Sequence, residues 1–274
     1  MTSTDRFALP IRFASDRTFL ISLGLLGGLY VFLIVAMMVA DLFYTTPDHF
    51  LTALKSPQIR YAIKLSLISC TITTLMSLWV AIPLGYLMSR TQFRFKGVVD
   101  TILDIPIVLP PLVIGLSLLI LFQTPIGRGV QKFIPITYAI PSVILAQFAV
   151  AAAFAVRTMH ITFDQINPRA EQVALTLGCS RAQAFWRITL PESRRGIITA
   201  ATICWARALG EFGPILIFSG TTRMKTEVLS TTVFLELSIG NLEVAIAVSL
   251  LMIFVAVTVL VNMRIFGLRN SALI

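Results

Sequence analysis

Long apolar segments constrain this chain more than any other feature. Residues 18–40 contain no charged side chain, and five further apolar segments follow at roughly 61–89, 101–122, 139–156, 196–220 and 242–263. A run of about 20 apolar residues is long enough to cross the hydrocarbon core of a bilayer as a helix. The third and fifth segments are interrupted by proline or charge, so their ends are less sharply defined. We therefore predict an all-α membrane protein with about six transmembrane helices.

The spacing of these segments leaves no connection long enough for a separate soluble domain. The chain divides into an N-terminal tail over 1–17, a first transmembrane helix with its outer loop over 18–60, a transmembrane domain over 61–265 and a C-terminal tail over 266–274. The end of the first apolar segment lacks the small-x-small pattern at which signal peptides are cleaved. We expect this first helix to remain part of the protein.

The positive charges are distributed unevenly along the chain. The sequence has 22 Lys and Arg against 13 Asp and Glu, a balance also found in nucleic-acid-binding proteins. If the N-terminus is cytoplasmic, 14 of the 22 lie in inner segments and 6 in outer loops. An excess of Lys and Arg marks the cytoplasmic side of membrane proteins. We therefore interpret the charge as topology, predict no nucleic-acid partner, and place both termini and residues 157–195 in the cytoplasm.

Side chains suited to covalent chemistry are scarce. The sequence contains no Gly-Lys dipeptide, which excludes the phosphate-binding GxxxxGK[ST] loop. Its only histidines, His49 and His160, cannot form an HExxH zinc site, and an interfacial role is favoured for both. We predict that the chain is not an enzyme and has no catalytic residue, no metal site and no cofactor of its own.

A polar segment over 168–191 lies between two of the apolar segments. Asn167 can cap a helix that begins at Pro168. One face of this helix is apolar, with residues at positions i, i+3, i+4 and i+7, namely Ala170, Val173, Ala174 and Leu177. Gly178 then suits the left-handed residue that ends a helix.

A second helix is predicted directly after this glycine. Ser180 and Gln183 have the spacing of a capping box, and Pro191 is expected to stop the helix. Two short helices joined by a turn resemble a DNA-binding motif, and they could also lie on the lipid headgroups as a surface element. We favour a third interpretation, in which the segment is a docking site for a soluble partner.

The same segment resembles the cytoplasmic loop of the membrane-spanning permease subunits of ABC importers. The loop motif of this family reads E-A-A-x3-G-x9-I-x-L-P. Its spacing is matched here by Gln172, Val173, Ala174, Gly178, Ile188, Leu190 and Pro191. Gln172 and Val173 depart from the Glu and the first Ala of the motif, and Glu171 lies one residue earlier. The resemblance implies that these eight residues form a coupling loop that sits in a groove on an ATPase subunit.

Two further stretches are similar to the sulfate/molybdate oxyanion group of these permeases. The third apolar segment is similar to a P-x3-PP-x3-G pattern, with Pro106, Pro110, Pro111 and Gly115. The fifth contains ARALGEFGP from Ala206 to Pro214, which is similar to an ARxxGEFG signature. The resemblance covers residues 60–265 and identifies 61–265 as an ABC permease transmembrane domain that includes the coupling loop.

The fifth apolar segment also contains a pair of opposite charges. Arg207 and Glu211 are spaced so that they can pair on one face of a helix. Charges inside membrane spans generally face a cavity or a partner, so the pair is either purely structural or holds Arg207 near the path of an anion. Irregular backbone at membrane depth is tolerated mainly beside protein or water. The candidates for the translocation pathway are therefore Arg207, Gly210, Glu211, Gly213, Pro110 and Pro111.

The resemblance implies a type I permease subunit in the bacterial inner membrane that carries molybdate, sulfate or tungstate into the cytoplasm. The implied partners are two ABC ATPase subunits that use the ATP, a second permease chain (identical or a sister), an extracytoplasmic solute-binding protein and membrane lipid. One alternative is an importer for a polyamine, thiamine or ferric iron. The other is a secondary transporter or channel that needs no ATPase.

Overall fold

The computed structural model describes residues 13–44, 50 and 53–269. Most of the expected N-terminal tail, the last five residues of the chain and His49 lie outside the described residues. Every regular element in the described part of the chain is helical, which confirms the all-α prediction. The first half contains α1 (Phe13–Tyr44), α2 (Pro57–Arg90), α3 (Lys96–Val108), α4 (Pro111–Gln123), α5 (Pro125–Gln131) and α6 (Ile140–Gln165). The second half contains α7 (Arg169–Thr176), α8 (Arg181–Ala184), a π-helical turn (Phe185–Thr189), α9 (Leu190–Glu192), α10 (Arg194–Leu209), α11 (Gly213–Phe218), α12 (Leu229–Ser238) and α13 (Leu242–Arg269).

Helix α1 belongs to a structural unit of its own that ends at Thr46. Its stretch Arg17–Tyr44 is long and apolar enough to cross a membrane and includes the predicted span over 18–40. The remaining helices belong to a second unit, Pro47–Ile274.

Three helices of the second unit could cross a bilayer without interruption, by length and composition: Pro57–Arg90, Ile140–Gln165 and Leu242–Met263. Helices α3 and α4 form a pair bent by 111°, which is either one broken span or a re-entrant loop. The predicted segment 196–220 is also broken, because α10 ends at Leu209 and α11 begins at Gly213. The described residues therefore contain four helices able to span a membrane, or five if the bent pair counts as one.

The core of the second unit lies where α2, α6 and α10 meet. A Cβ on Gly85 of α2 would lie 2.8 Å from the Met159 Cβ of α6, so the two helices approach closely there. The buried Gln147 links all three helices: its Oε1 accepts from the Thr73 hydroxyl at 3.2 Å, and its Nε2 donates to the Ala208 carbonyl at 3.1 Å. A buried amide whose hydrogen bonds are satisfied fixes the register of the helices that it joins.

Candidate functional site

The segment over 168–191 has the helix and glycine turn that the sequence predicts. The side-chain Oδ1 of Asn167 accepts a hydrogen bond from the Arg169 N–H at 3.0 Å, which caps α7. At the other end of α7, Gly178 has φ +90°, in the left-handed region that glycine adopts without a steric penalty. The Cys179 N–H donates to the Ala174 carbonyl at 3.0 Å, the bond that closes such a turn.

The second helix begins as predicted but does not end as predicted. The Gln183 N–H donates to Ser180 Oγ at 3.2 Å and the Ser180 N–H donates to Gln183 Oε1 at 2.8 Å, so the capping box is present. Pro191 does not stop the helix, and that prediction was wrong. Residues 185–189 form a π-helical turn, and Pro191 lies in the first turn of α9, where a missing N–H is tolerated.

Polar contacts tie this loop to the end of α2. The Tyr86 hydroxyl donates to Glu171 Oε1, and Arg90 Nε lies 3.5 Å from Glu171 Oε2. The Thr189 hydroxyl donates to the same Oε2 at 3.2 Å, so Glu171 also joins the two halves of the loop. Beyond this ion pair, the Arg90 Nη2 donates a hydrogen bond to the Ile166 carbonyl at 2.8 Å. Glu171 is thus the residue on which the contacts between α2 and the loop converge.

Aromatic side chains pack against Tyr86, which lies beside this ion pair. The Tyr86 ring packs edge-on against Phe163 of α6, with 5.6 Å between centroids, and against Phe185 of the loop, with 4.7 Å. Phe163 is fully buried. These ring contacts fix the position of Tyr86, whose hydroxyl donates to Glu171. Tyr86, Arg90 and Glu171 also line a cavity of about 500 Å³.

The other face of the loop is exposed and partly apolar. Ala174 is buried, whereas Val173, Leu177 and Trp186 are 56%, 80% and 66% exposed. The remaining motif positions divide in the same way: Ile188 and Leu190 are half-buried, and Gln172, Gly178 and Pro191 are exposed. A cluster of exposed apolar side chains of this kind marks an interaction surface.

The predicted charge pair is present, with Arg207 in the last turn of α10 and Glu211 two residues beyond the end of that helix. Arg207 Nη1 lies 3.0 Å from Glu211 Oε2. The Glu211 side chain is 1% exposed and the Arg207 side chain 33%, so the carboxylate faces the protein while the guanidinium reaches a more open region. The guanidinium carbon also lies 5.6 Å from the centroid of the Phe154 ring, within the range of a cation–π contact.

The two helix breaks predicted at Pro110–Pro111 and near Gly213 are brought together. A Cβ on Gly213 would lie 3.0 Å from both the Leu112 nitrogen and the Pro111 Cβ. A Cβ on Gly115 would lie 2.7 Å from the Pro214 Cα. Helices α4 and α11 therefore touch backbone to backbone, which only glycine permits at these positions.

Gly210 does not take part in this contact. It is exposed, and a Cβ there would meet only the carbonyls of its own helix, the nearer at 3.7 Å. It lies three residues after Arg207 and caps the end of α10. No group of three or more His, Cys, Asp or Glu side chains that could hold a metal ion occurs in the described part of the chain.

Tyr86 and Arg90 are the site residues that sequence reasoning missed. In the sequence, Arg90 stands out only as one of several positive charges near a predicted membrane boundary, and Tyr86 does not stand out at all. The contact that reveals them spans 85 residues between Tyr86 and Glu171, and no local pattern encodes it.

The chain is similar to known membrane transport proteins. The family of binding-protein-dependent transport system inner membrane components matches residues 81–270, which include the loop and both helix breaks. A probable molybdenum ABC transporter permease protein of Haloferax volcanii is 31% identical over 89% of this chain and 88% of its own length. The sulfate transport system permease protein CysT of Escherichia coli is 28% identical over 86% of this chain and 90% of its own.

A solved structure shares the fold. A chain of a bacterial alginate ABC transporter, crystallised with an alginate pentasaccharide-bound periplasmic protein, superposes with a TM-score of 0.73. The superposition covers 93% of this chain and 96% of that one, at 23% sequence identity. With the family match over 81–270, these likenesses show that the chain belongs to the binding-protein-dependent transport system inner membrane components and is a multi-pass permease of the ABC importer type.

Proposed function

We propose that this chain is the transmembrane permease subunit of an importer that carries a tetrahedral oxyanion (molybdate, sulfate or tungstate) into the cytoplasm. One observation carries the proposal. The loop over 168–191 is tied to the membrane domain through Glu171 while its apolar side chains Val173, Leu177 and Trp186 face outward. A loop held rigidly on one side and open on the other is suited to receive force from a docked partner.

The docked partner is a separate ATPase chain. Two ATPase subunits bind and hydrolyse ATP. Two permease chains form a pair, and each ATPase subunit binds the loop of one of them. Movement of the loop reaches α2 through the contacts of Glu171 with Tyr86 and Arg90. The membrane helices then alternate between states open to the outside and open to the cytoplasm, and a solute-binding protein delivers the anion to the outer side.

The chemistry of Arg207 supports an anionic substrate. A guanidinium carries five N–H donors, and in the described chain Arg207 makes one ion pair, with Glu211. Donors remain for an oxyanion, and bonds between a guanidinium and such an anion are among the stronger hydrogen bonds in proteins. Relatives named for molybdenum and sulfate transport favour the same substrate class.

Reconstitution tests the proposal. The permease, its ATPase and its solute-binding protein are placed in vesicles, and uptake of molybdate, sulfate and tungstate is measured with and without ATP. Uptake that needs all three components and ATP is expected. Uptake without the ATPase would favour a secondary transporter instead, and a solute-binding protein that takes only a polyamine, thiamine or ferric iron would exclude the oxyanion.

The proposed orientation has its own test. Cys70 and Cys204 are buried, whereas Cys179 is half-buried in the loop over 168–191. A membrane-impermeant thiol reagent should therefore label Cys179 in inside-out vesicles and leave it unlabelled in intact spheroplasts. Labelling in spheroplasts would place the loop outside the cell and contradict the coupling role.

A further inference from the structure

The cavity at the end of α2 combines apolar and charged lining residues. Its volume is about 500 Å³, and it lies between α2 and the loop over 168–191. Helix α2 contributes the apolar Pro83 and Leu87, and the loop contributes Arg181 and Trp186. Cavities of this size hold small ligands whose apolar and polar parts match the lining.

The charges that line the cavity do not balance. They are the guanidiniums of Arg90 and Arg181 and the carboxylate of Glu171. Arg90 and Glu171 form a pair, with 3.5 Å between Nε and Oε2. Arg181 is exposed and makes no ion pair within 4.0 Å among the residues that the structure describes. The lining therefore has a net positive charge, and Arg181 supplies it.

An exposed apolar stripe of α2 leads into this cavity. Leu75, Trp79, Pro83 and Leu87 recur every four positions and form one ridge along the helix. Leu75 and Leu87 are twelve positions apart, which corresponds to about 18 Å at the rise of an α-helix. One leaflet supplies half of the hydrocarbon core of about 30 Å. The stripe is therefore long enough to lie along an acyl chain of one leaflet.

The cavity lies where the chain leaves its apolar segment. Arg90, the last residue of α2, follows Leu87 by three positions, and Arg94 and Lys96 come soon after it. The exposed Trp186 has an amphipathic ring, which is favoured at the level of the lipid headgroups. Basic pockets beside membrane helices bind acidic lipid headgroups. The cavity is therefore placed where such a headgroup can enter it.

The cavity and the docking surface lie on different faces of α7. Glu171 and Leu175 line the cavity. Val173 and Leu177 are each two positions from Leu175, and side chains two positions apart on a helix do not face the same side. A ligand in the cavity therefore leaves Val173 and Leu177 free for a soluble partner.

We propose that this cavity binds the headgroup of an acidic phospholipid, with the phosphate on Arg181 and an acyl chain along the stripe of α2. A guanidinium can donate two parallel hydrogen bonds to a phosphate. The lipid comes from the leaflet beside the loop, which is the cytoplasmic leaflet in the proposed orientation. The bound lipid connects the loop over 168–191 to the membrane, whichever solute the transporter carries.

Photocrosslinking tests the site in the complete transporter. A photoreactive benzoylphenylalanine takes the place of Trp186, so that one aromatic side chain in the cavity replaces another. The same residue in place of Leu177, which is exposed on the other face of the loop, is the matched control. The vesicles contain equal amounts of phosphatidylglycerol and phosphatidylcholine with identical acyl chains, and mass spectrometry identifies each adduct. Both lipids have a phosphate, but only phosphatidylglycerol has a net charge.

At position 186 we expect about fivefold more adducts with phosphatidylglycerol than with phosphatidylcholine, the effect of one arginine near an acidic headgroup. At position 177 we expect adducts with the ATPase. Equal adducts with the two lipids at 186 would overturn the proposal, as would adducts at 186 with the ATPase alone. Soluble glycerol phosphate should leave the lipid adducts unchanged. Their loss would show that the cavity takes a free phosphate compound instead of a lipid.

Variants of the loop assign the preference to Arg181. Arg181→Gln should lower the excess of phosphatidylglycerol adducts from about fivefold to nearly none. Arg187→Gln is the control, because Arg187 is exposed on the same loop but does not line the cavity, and it should keep the excess. Gln172→Glu adds a carboxylate to the lining and should also lower the excess. An undiminished excess in Arg181→Gln would refute the lipid site. None of these measurements involves a transported solute, so that result would leave the proposed function untouched.

Discussion

The carboxylate of Glu171 lies 3.5 Å from the guanidinium of Arg90, although 81 positions of sequence separate them. Both side chains are largely buried, at 12% and 15% exposure. The pair joins the loop over 168–191 to the end of α2, and it uses the residue just before the motif position at which the family has glutamate. The exposed Gln172, which occupies that motif position, is left free to face a partner.

Glu171→Gln should loosen the loop. The substitution keeps the shape of the side chain but removes the charge that faces Arg90, and hydrogen bonds to charged groups contribute about 1.5–3 kcal/mol. We expect faster hydrogen exchange over 168–191 and less transport per ATP hydrolysed. Gln172→Ala is the control for loop order, because Gln172 is exposed, and it should leave hydrogen exchange unchanged. Equal exchange in Glu171→Gln and wild type would contradict the anchoring role.

Gly178→Val should uncouple ATP hydrolysis from transport. The φ of +90° at this position strains a β-branched residue. Nothing lies within 4 Å of the added Cβ, so the effect of the substitution comes from backbone strain and not from a steric clash. Gly178→Asn is the matched control, because asparagine tolerates left-handed backbone. ATPase stimulation and uptake are measured together. Normal coupling in the valine variant would show that the turn is not needed for docking.

Arg207→Ala should impair both folding and uptake, because it leaves the buried carboxylate of Glu211 without its partner. Removing one partner of a fully buried pair costs about 3–5 kcal/mol, and the cost is smaller here because the Arg207 side chain is 33% exposed. The double variant Arg207→Met, Glu211→Gln removes both charges and should recover the folded yield. If it also recovers uptake, the pair is purely structural. If the folded double variant transports poorly, Arg207 acts on the anion.

Gly115→Ala should destabilise the contact between α4 and α11. The added Cβ would lie 2.7 Å from the Pro214 Cα, and overpacking of this kind costs about 1–3 kcal/mol. Gly129→Ala in α5 is the control, since nothing lies within 4 Å of its Cβ position. Thermal unfolding in detergent should show a lower Tm for the first variant and an unchanged or higher Tm for the second. An unchanged Tm for Gly115→Ala would mean that the two helices can separate at little cost.

The stability of the segment before α12 should depend on pH through Glu227. Burial raises the pKa of this carboxyl above its ordinary value of 4.5, and the Thr232 hydroxyl and the positive charge of Arg223 offset part of the shift. A raised pKa in the folded state means that the folded protein holds the proton more tightly than the unfolded chain does. The stabilisation is therefore complete below pH 4.5 and is lost as pH rises through the folded pKa.

Glu227→Gln is neutral at every pH and should remove this dependence. Its Tm should exceed that of the wild type at pH 8 and be similar at pH 4. Glu236→Gln provides a contrast, because Glu236 is paired with Arg223 at 2.8 Å and its loss should lower the Tm. A wild-type Tm that rises steadily with pH over this range would contradict the assignment to Glu227.

Local features of the protein could be predicted from the sequence with good accuracy. The long apolar helices, the left-handed Gly178 and the capping box of Ser180 and Gln183 all follow from residues a few positions apart. The same holds for the ion pair of Arg207 and Glu211, which are four residues apart in the chain. Hydrogen bonds and side-chain spacing within one or two helical turns determine these features, and such information is present in a short window of sequence.

One local expectation failed, and its failure has a structural cause. Proline normally ends a helix because it lacks an N–H, and on that basis the second helix of the loop is expected to end at Pro191. The π-helical turn over 185–189 shifts the bonding pattern, with the Leu190 N–H donating to the Phe185 carbonyl, and Pro191 then begins a new helical turn. The preceding residues show no sequence signal for this shift.

The sequence by itself determined that this chain is a set of apolar helices with one polar, turn-forming loop, since each helix must satisfy its own backbone hydrogen bonds in lipid. Only the tertiary structure decided which helices meet. Glu171 pairs with Arg90, Gly115 lies against Pro214, and a groove remains between α6 and α10. All three features result from the packing of whole helices. Helix packing depends on the shapes of surfaces built from distant parts of the chain, and a local pattern does not contain that information.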